Sequence, residues 1–147
     1  MTFSGPFQNF PRICVLYQNI FLETEGISLL VSLSPDTRPP SFKYVKQMRN
    51  EEFFIKEFTG ADVNLLTKIV DTIAGEISGG GRVAVHCRAG NGRTGMVLAA
   101  YFIKYHNYTA RDAIKHIRTL RRFSIETSQQ EESLRAFENY LRPLLLE

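Results

Sequence analysis

The segment of the chain with the clearest chemical potential runs from His86 to Thr94 and reads His-Cys-Arg-Ala-Gly-Asn-Gly-Arg-Thr. It places a cysteine, two glycines and an arginine between an apolar segment and a predicted helix. A thiolate is a strong nucleophile, and both a helix N-terminus and a neighbouring cation favour the thiolate over the thiol. Cys87 is therefore the candidate nucleophile.

The residues that follow Cys87 are predicted to bind one phosphoryl group. Gly90 and Gly92 allow backbone conformations that are closed to other residues, so consecutive N–H groups can point inward around an anion. Arg93 can bind two phosphate oxygens through its planar guanidinium, and Thr94 is expected to open a helix whose N-terminus favours an anion. The expected phosphate-binding residues are Arg88, Ala89, Gly90, Asn91, Gly92 and Arg93.

His-Cys, five further residues and then Arg-Thr resembles the signature of the cysteine-dependent protein tyrosine and dual-specificity phosphatases. Segments 26–33 and 124–131 resemble the small, VHZ-like atypical dual-specificity phosphatases. The resemblance implies a phosphomonoester hydrolase that acts on phosphotyrosine in proteins, with phosphoserine and phosphothreonine as further candidate substrates. It implies a phosphocysteine intermediate, no cofactor and no metal ion.

The departing oxygen of a phosphate ester needs a proton from a general acid. The family carries an aspartate for this purpose on a loop before the cysteine, and thirty residues before Cys87 this chain has Glu57 instead. The nearest aspartate, Asp62, is predicted to be the N3 partner of Thr59 in a helix capping box. We expect Glu57 to be the acid and then the base for the attacking water, with Asp62 and a site without a dedicated acid as the open alternatives.

Three further residues receive supporting roles from their positions. The hydroxyl of Thr94 is expected to assist departure of the thiolate. Gln130 resembles a family glutamine that positions the attacking water, but Thr127 and Gln130 also have capping-box spacing, so both roles stay open. His86 is expected to hydrogen-bond the backbone at the base of the loop and to hold Cys87.

Composition indicates one globular domain over residues 1–147, because 147 residues with 44% hydrophobic content can bury a sizeable core. Residues 1–80 carry seven Lys or Arg against nine acids, whereas residues 81–147 carry eleven against six. The basic half contains the candidate site, which suits phosphorylated protein substrates, although nucleic-acid binding would give a similar imbalance. We expect a monomer, with nucleic acid the less favoured partner.

The cysteine content indicates a reducing compartment. The chain has two cysteines, and one of them is predicted to act as a thiolate, so we expect a cytoplasmic or also nuclear protein without structural disulfides. We expect no secretory leader, membrane-spanning run or lipidation signal. Cys14 is expected to be a packed strand residue, and a regulatory disulfide with Cys87 is the alternative.

The apolar patterns predict an α/β fold in which a central, mostly parallel, twisted sheet is flanked by helices. Strands are predicted at 12–17, 27–33, 53–55 and 82–85. Helices are predicted to open near Thr59, Thr94, Thr109 and Thr127. The catalytic loop would then connect the carboxyl end of a central strand to a helix.

Other functions are compatible with parts of the pattern. Arg118, Arg121 and Arg122 would suit an RNA 5′-phosphatase, although basic residues also favour a helix C-terminus. A phosphoinositide phosphatase is a weaker candidate, because only Arg88 adds a cation at the variable loop positions. A non-catalytic phosphate-binding module is the alternative of another class, and intact Cys87 and Arg93 argue against it.

Overall fold

The structure is a computed structural model that describes residues 13–14, 26–34, 48–88 and 91–145, with backbone alone at 13–14 and 144–145. Its strands are β1 (Ile13–Cys14), β2 (Leu29–Ser32), β3 (Arg49–Glu52) and β4 (Val83–His86). Its helices are α1 (Val63–Ser78), α2 (Gly92–Tyr105), α3 (Ala110–Leu120) and α4 (Ser128–Leu145). The predicted α/β class is confirmed.

The four strands form one parallel sheet in the order β1-β4-β2-β3. All four residues of β2 and all four of β4 are buried. Strands that are covered on both faces have near-continuous apolar sequences, which is why the sequence identified these two. Strand β4 lies between β1 and β2, so the segment that follows it emerges from the middle of the sheet.

The predicted strand at 53–55 is wrong in position, because β3 consists of the polar residues 49–52. This strand lies at the edge of the sheet and most of its side chains are exposed, so it carries no apolar pattern. Phe53 and Ile55 are nevertheless buried, and their N–H groups donate to the carbonyls of Ser32 at 2.9 Å and Leu33 at 3.2 Å. Apolar packing thus continues past the end of the strand.

Helix α2 is the central helix, and its residues from Gly92 to Ile103 are buried. It contacts each of the other three helices that the described residues form. Helix α2 begins at Gly92, two residues before the predicted opening at Thr94, because Asn91 already provides the carbonyl that accepts from the Gly95 N–H at 3.0 Å. The first turn of this helix therefore lies inside the phosphate-binding motif.

Helix caps account for the other boundaries. Asp62 is itself the N-cap of α1, since its Oδ1 accepts from the Leu65 N–H at 2.8 Å, so the predicted Thr59 capping box is wrong. The Thr59 hydroxyl donates instead to the Lys56 carbonyl at 2.7 Å. Thr109 caps α3 as predicted, accepting from the Asp112 N–H at 3.1 Å.

Within the described ranges, no helix has the length and apolar character needed to cross a membrane.

Candidate active site

The site is built where β4 ends and α2 begins. Cys87 directly follows the last residue of β4 and is 4% exposed, while Thr94 in the first turn of α2 is 1% exposed. The Thr94 hydroxyl donates a hydrogen bond to the Cys87 sulfur over 3.1 Å. The predicted contact between the nucleophile and its supporting hydroxyl is therefore present, whereas Ala89 and Gly90 lie outside the described residues.

Arg93 connects this motif to the segment that precedes α1. Its side chain is buried, with 5% of the residue exposed, and Nη1 donates to the Ile55 carbonyl at 2.9 Å. Because Ile55 lies two residues before Glu57, this hydrogen bond fixes the acid-bearing segment against α2.

Cys87 opens into a small pocket that four separate segments line. Its wall consists of Glu57, Phe58, Cys87, Gly92, Arg93, Glu126 and Gln130. Phe58 is half exposed at the rim and has a φ of 63°, a conformation that costs free energy for a bulky residue. The nucleophile, a guanidinium and two carboxyl groups thus surround one space.

The two candidate acids have different environments. Glu57 lines the pocket and pairs with Arg88, whose Nη1 lies 3.4 Å from Oε2. Asp62 caps α1 and is absent from the described lining of the Cys87 pocket. The structure therefore brings Glu57 to the nucleophile, while Arg88 points outward as the partner of that carboxylate.

Gln130 is fully buried and has two kinds of contact. Its Oε1 accepts from the N–H groups of Glu126 at 2.8 Å and Thr127 at 3.3 Å, and the Thr127 hydroxyl accepts from the Gln130 N–H at 3.2 Å. The predicted capping box is thus confirmed. The Nε2 group has no hydrogen-bond partner among the described residues, and Gln130 lines the pocket.

Gly92 is required by this arrangement. A Cβ at position 92 would lie 2.9 Å from the Gln130 Nε2 and 3.2 Å from the Glu126 Cδ. A side chain here would displace the glutamine, so the second glycine of the motif allows α4 to approach α2.

A residue of the neighbouring strand β2 holds the His86 ring. Its Nε2 lies 2.7 Å from the Ser32 hydroxyl, and that hydroxyl donates to the Asn50 Oδ1 at 2.9 Å. Because the Ser32 proton is engaged with Asn50, the Nε2–H of His86 is the donor to Ser32. This hydrogen bond sets the orientation of the His86 ring, directly before Cys87.

Sequence reasoning missed Phe58, Glu126 and Ser32. Phe58 and Glu126 lie in loops without a motif, and only their adjacency to Glu57 and to the Thr127 cap could have drawn attention to them. Ser32 reaches His86 through the pairing of β2 with β4, in which these two residues are register partners. That contact depends on strand order, which a single sequence does not reveal.

In the described part of the chain, no group of three or more His, Cys, Asp or Glu residues could hold a metal ion. The Cys14 side chain lies outside the described atoms, so the disulfide between Cys14 and Cys87 stays a prediction.

The overall structure resembles solved phosphatases. The Tk-PTP G95A mutant superimposes with a TM-score of 0.80 and 25% identity, covering 89% of this chain and 91% of that one. PTPMT1 in complex with PI(5)P gives a TM-score of 0.79 at 20% identity, covering 92% and 95%. Human DUSP28 gives 0.78 at 16% identity, covering 91% and 96%, and these last two likenesses establish the fold alone.

The sequence is similar to parts of longer phosphatases. It is 34% identical over 83 residues to a tyrosine-protein phosphatase CDC14 homolog of Schizosaccharomyces pombe, covering 56% of this chain and 15% of the relative. It is 45% identical over 64 residues to the mouse protein tyrosine phosphatase domain-containing protein 1, covering 44% of this chain and 9% of the relative. The chain thus spans less than a fifth of either relative.

The resemblance noted from the sequence is confirmed at the level of the superfamily, while the closeness to the VHZ-like group stays a prediction. A family model described as the dual specificity phosphatase catalytic domain matches residues 16–140, which is most of the chain. The chain belongs to the dual specificity phosphatase catalytic domain family.

Proposed function

We propose that this chain hydrolyses phosphate monoesters, with phosphotyrosine in proteins as the main substrate and phosphoserine and phosphothreonine as further ones. The observation that carries the proposal is the pocket in which Cys87, Arg93 and Glu57 meet, with the Thr94 hydroxyl 3.1 Å from the nucleophilic sulfur. Phosphate would bind to Arg93 and to the backbone N–H groups of the loop, including the positions of Arg88, Ala89, Gly90, Asn91 and Gly92.

In the first step, the Cys87 thiolate attacks phosphorus opposite the ester oxygen. An S–P bond forms and the P–O bond to the leaving group breaks, so the leaving oxygen takes the electron pair. Protonated Glu57 gives this oxygen its proton. Arg93 stabilises the charge on the equatorial oxygens of the transition state, as a preorganised guanidinium does most effectively in a site with little water.

In the second step, water attacks the phosphorus of phosphocysteine and the S–P bond breaks. The Glu57 carboxylate accepts the water proton, and the hydrogen bond from Thr94 stabilises the departing Cys87 thiolate. The unpartnered Nε2 of Gln130 supports a role in holding this water, because a buried amide without a partner gains most from one. The same residue can cap α4 through Oε1 at the same time.

Phosphoinositide hydrolysis is the second candidate, because PTPMT1 in complex with PI(5)P has a similar fold. The ion pair between Arg88 and Glu57 argues against it, since this cation is engaged at 3.4 Å rather than directed at a headgroup. An RNA 5′-phosphatase is disfavoured by Arg118, whose guanidinium is bound to the carbonyls of Ser124 and Ile125.

The decisive experiment measures hydrolysis of an aryl phosphate with a chelator present. Activity should persist, vanadate should inhibit it, and Cys87→Ser should abolish turnover while phosphate binding remains. A non-catalytic module would show no hydrolysis, and activity of the Cys87→Ser variant would reject the assigned nucleophile. A phosphotyrosyl peptide, a phosphoinositide and a 5′-phosphorylated RNA, compared by kcat/KM, would rank the substrate classes.

The proposal also covers the domain organisation, the oligomeric state and the cellular compartment of the chain. We infer that residues 1–147 act as one catalytic domain and as a monomer, which size-exclusion chromatography with light scattering would test. A nucleophilic thiolate and a low cysteine content favour the cytoplasm, and also the nucleus, over an oxidising compartment.

A further inference from the structure

A basic groove lies between α3 and α4, outside the pocket of Cys87. The groove is lined by Arg111, Ile114, Lys115, Arg118, Thr119, Glu131 and Arg135. Four of these residues are cations and one is an acid, so the groove has a clear excess of positive charge. We propose that this basic groove binds an acidic peptide segment of a protein substrate.

The cations of the groove divide into a structural pair and an uncommitted pair. Arg118 and Arg135 both bind the Glu131 carboxylate, with Nη2 of each residue at 2.7 Å and 3.1 Å from its oxygens. Arg111 and Lys115 form no ion pair or side-chain hydrogen bond with any residue in the described ranges. The side chains of the second pair are therefore not engaged by any ion pair among the described residues.

The placement of this second pair works against helix stability. Arg111 is the second residue of α3, where the positive end of the helix dipole disfavours a cation. Arg111 and Lys115 are also like charges four residues apart on one helix face, which destabilises a helix slightly. An anion bound beside this pair would relieve both effects.

The lining of the groove favours a peptide over a nucleic acid. Its residues, as far as the structure describes them, include no aromatic ring on which a base could stack. Glu131 would repel a continuous run of phosphates, whereas carboxylates spaced along a peptide can avoid it. Ile114 is the apolar residue of the lining, and with 7% of it exposed it offers a small apolar contact.

The groove and the pocket of Cys87 meet on α4. Gln130 lines the pocket and the next residue, Glu131, lines the groove. Arg118 connects the two as well, because it donates to the carbonyls of Ser124 and Ile125, and the Ile125 N–H donates to Asn91 beside the pocket. An acidic segment in the groove would therefore lie close to a phosphorylated residue in the pocket.

The inference rests on the proposed function for its biological meaning, but peptide binding can be tested without turnover. The probe is a fluorescent, unphosphorylated peptide rich in Glu and Asp with one central Leu, and the readout is fluorescence anisotropy at low ionic strength. The test variant is Arg111→Gln with Lys115→Gln. The control is Lys68→Gln with Arg49→Gln, which removes two exposed cations on α1 and β3, outside the described lining of the groove.

The groove variant should bind the peptide about fivefold to tenfold more weakly, as expected for two partly exposed charge pairs, while the control changes the affinity less than about twofold. Binding should weaken as salt is added. Equal weakening in both variants, or no binding by the unaltered chain, would overturn the proposal. Tighter binding of a single-stranded RNA of equal length, lost in the groove variant, would overturn it in favour of nucleic acid.

Measurements of enzymatic activity distinguish this inference from the proposed function. Aryl phosphate hydrolysis should be unchanged in both variants, since neither pair of residues belongs to the catalytic pocket. For a phosphotyrosyl peptide with an acidic flank, the groove variant should raise KM and leave kcat unchanged. A chain that binds the acidic peptide in the groove but hydrolyses no phosphate ester would retain this inference and lose the proposed function.

Discussion

Two carboxylic acids are among the described residues that line the pocket of Cys87, and they contact different parts of the structure. Glu57 pairs with Arg88 of the loop, while Glu126 donates its backbone N–H to Gln130 just before α4. Only Glu57 occupies the position that the family resemblance predicts for a general acid. Glutamine has nearly the same shape as glutamate but cannot act as a carboxylic acid. Glu57→Gln and Glu126→Gln therefore form a matched pair of variants.

Glu57→Gln should slow hydrolysis most for esters with poor leaving groups. An alkyl phosphate needs a proton on its departing oxygen and should lose about 100-fold or more in kcat/KM, the usual contribution of a general acid. The aryloxide of an activated aryl phosphate leaves as a stable anion without needing a proton. The kcat/KM for this ester should therefore fall far less. The measurement is kcat and kcat/KM of the variant across a series of leaving groups.

Glu126→Gln is the control for that series and should change both classes of ester by a similar, small factor. A uniform effect of Glu57→Gln on kcat/KM across the series would contradict the assignment of Glu57 as the general acid, because kcat/KM reports phosphoryl transfer to Cys87 and not the later hydrolysis of phosphocysteine. A leaving-group dependence found in Glu126→Gln alone would move the acid to the loop before α4.

At the scale of elements, two helical glycines offer a test of how α2 is packed. Gly75 lies in α1 with no atom within 4 Å of an added Cβ, whereas a Cβ at Gly95 in α2 would lie 2.9 Å from the Ser124 Cβ and 3.1 Å from the Ile125 nitrogen. Alanine favours a helix over glycine by about 1 kcal/mol at both positions. The surroundings of each glycine therefore decide whether alanine raises or lowers the free energy of unfolding.

Gly75→Ala should raise the free energy of unfolding by about 1 kcal/mol. Gly95→Ala should lower it by about 1 to 3 kcal/mol, because backbone atoms of the loop after α3 must shift. Urea denaturation of the two variants measures both changes. A stabilising Gly95→Ala would mean that this loop does not pack on α2 as described.

His116 on α3 links stability to pH. Its ring packs on Phe102 with centroids 4.7 Å apart and lies 5.5 Å from the Tyr108 ring. Burial lowers the pKa of His116 from its ordinary value of 6.5, so the unfolded chain binds a proton at a higher pH than the folded one. The neutral ring stabilises the fold above 6.5, and this contribution is lost as pH falls.

His116→Phe should therefore reduce the loss of unfolding free energy between pH 7 and pH 5. The phenyl ring keeps the aromatic contacts and does not titrate. Urea midpoints of both proteins at the two pH values give the comparison, in which other titrating groups contribute equally. Parallel losses in the two proteins would show that His116 is equally protonated in the folded and unfolded chains.

The sequence predicted the elements whose signals are local. Thr109 and the pair of Thr127 and Gln130 were identified as caps, because a hydroxyl or an amide that satisfies N–H groups three residues away leaves a short-range pattern. Strand β3 was misplaced because an edge strand needs no apolar face. Asp62 was assigned to the wrong position in its cap, since Thr59 and Asp62 both suit an N-cap and only the observed backbone separates them.

The residues of the site divide in the same way, into those with a local sequence signal and those without one. Cys87, Arg93 and Thr94 lie in one continuous motif and could be identified directly. Glu57 could be named only through a family resemblance, and the hydrogen bond that connects its segment to Arg93 joins residues 38 positions apart. Contacts such as those of Phe58 and Glu126 depend on how loops meet above the sheet, which no local pattern encodes.

At the scale of the whole molecule, the pocket connects parts of the chain that are distant in sequence. The segment after β3, the segment after β4, the start of α2 and the start of α4 all contribute residues to it. In a parallel sheet, the carboxyl ends of the strands form one edge, where ligand sites are usually found. An oxyanion bound there contacts several elements at once and should stabilise the folded chain globally.

Vanadate should therefore raise the free energy of unfolding of the whole chain, by about 2.7 kcal/mol when its concentration is 100 times the dissociation constant. Arg93→Lys should lose most of this increase at the same vanadate concentration, because an ammonium group cannot bind two oxygens as a guanidinium does. Arg142→Lys, on the outer face of α4, is the control and should retain it. Urea denaturation of the three proteins with and without vanadate gives the six values, and an equal increase in the Arg93→Lys variant would place the oxyanion away from Arg93.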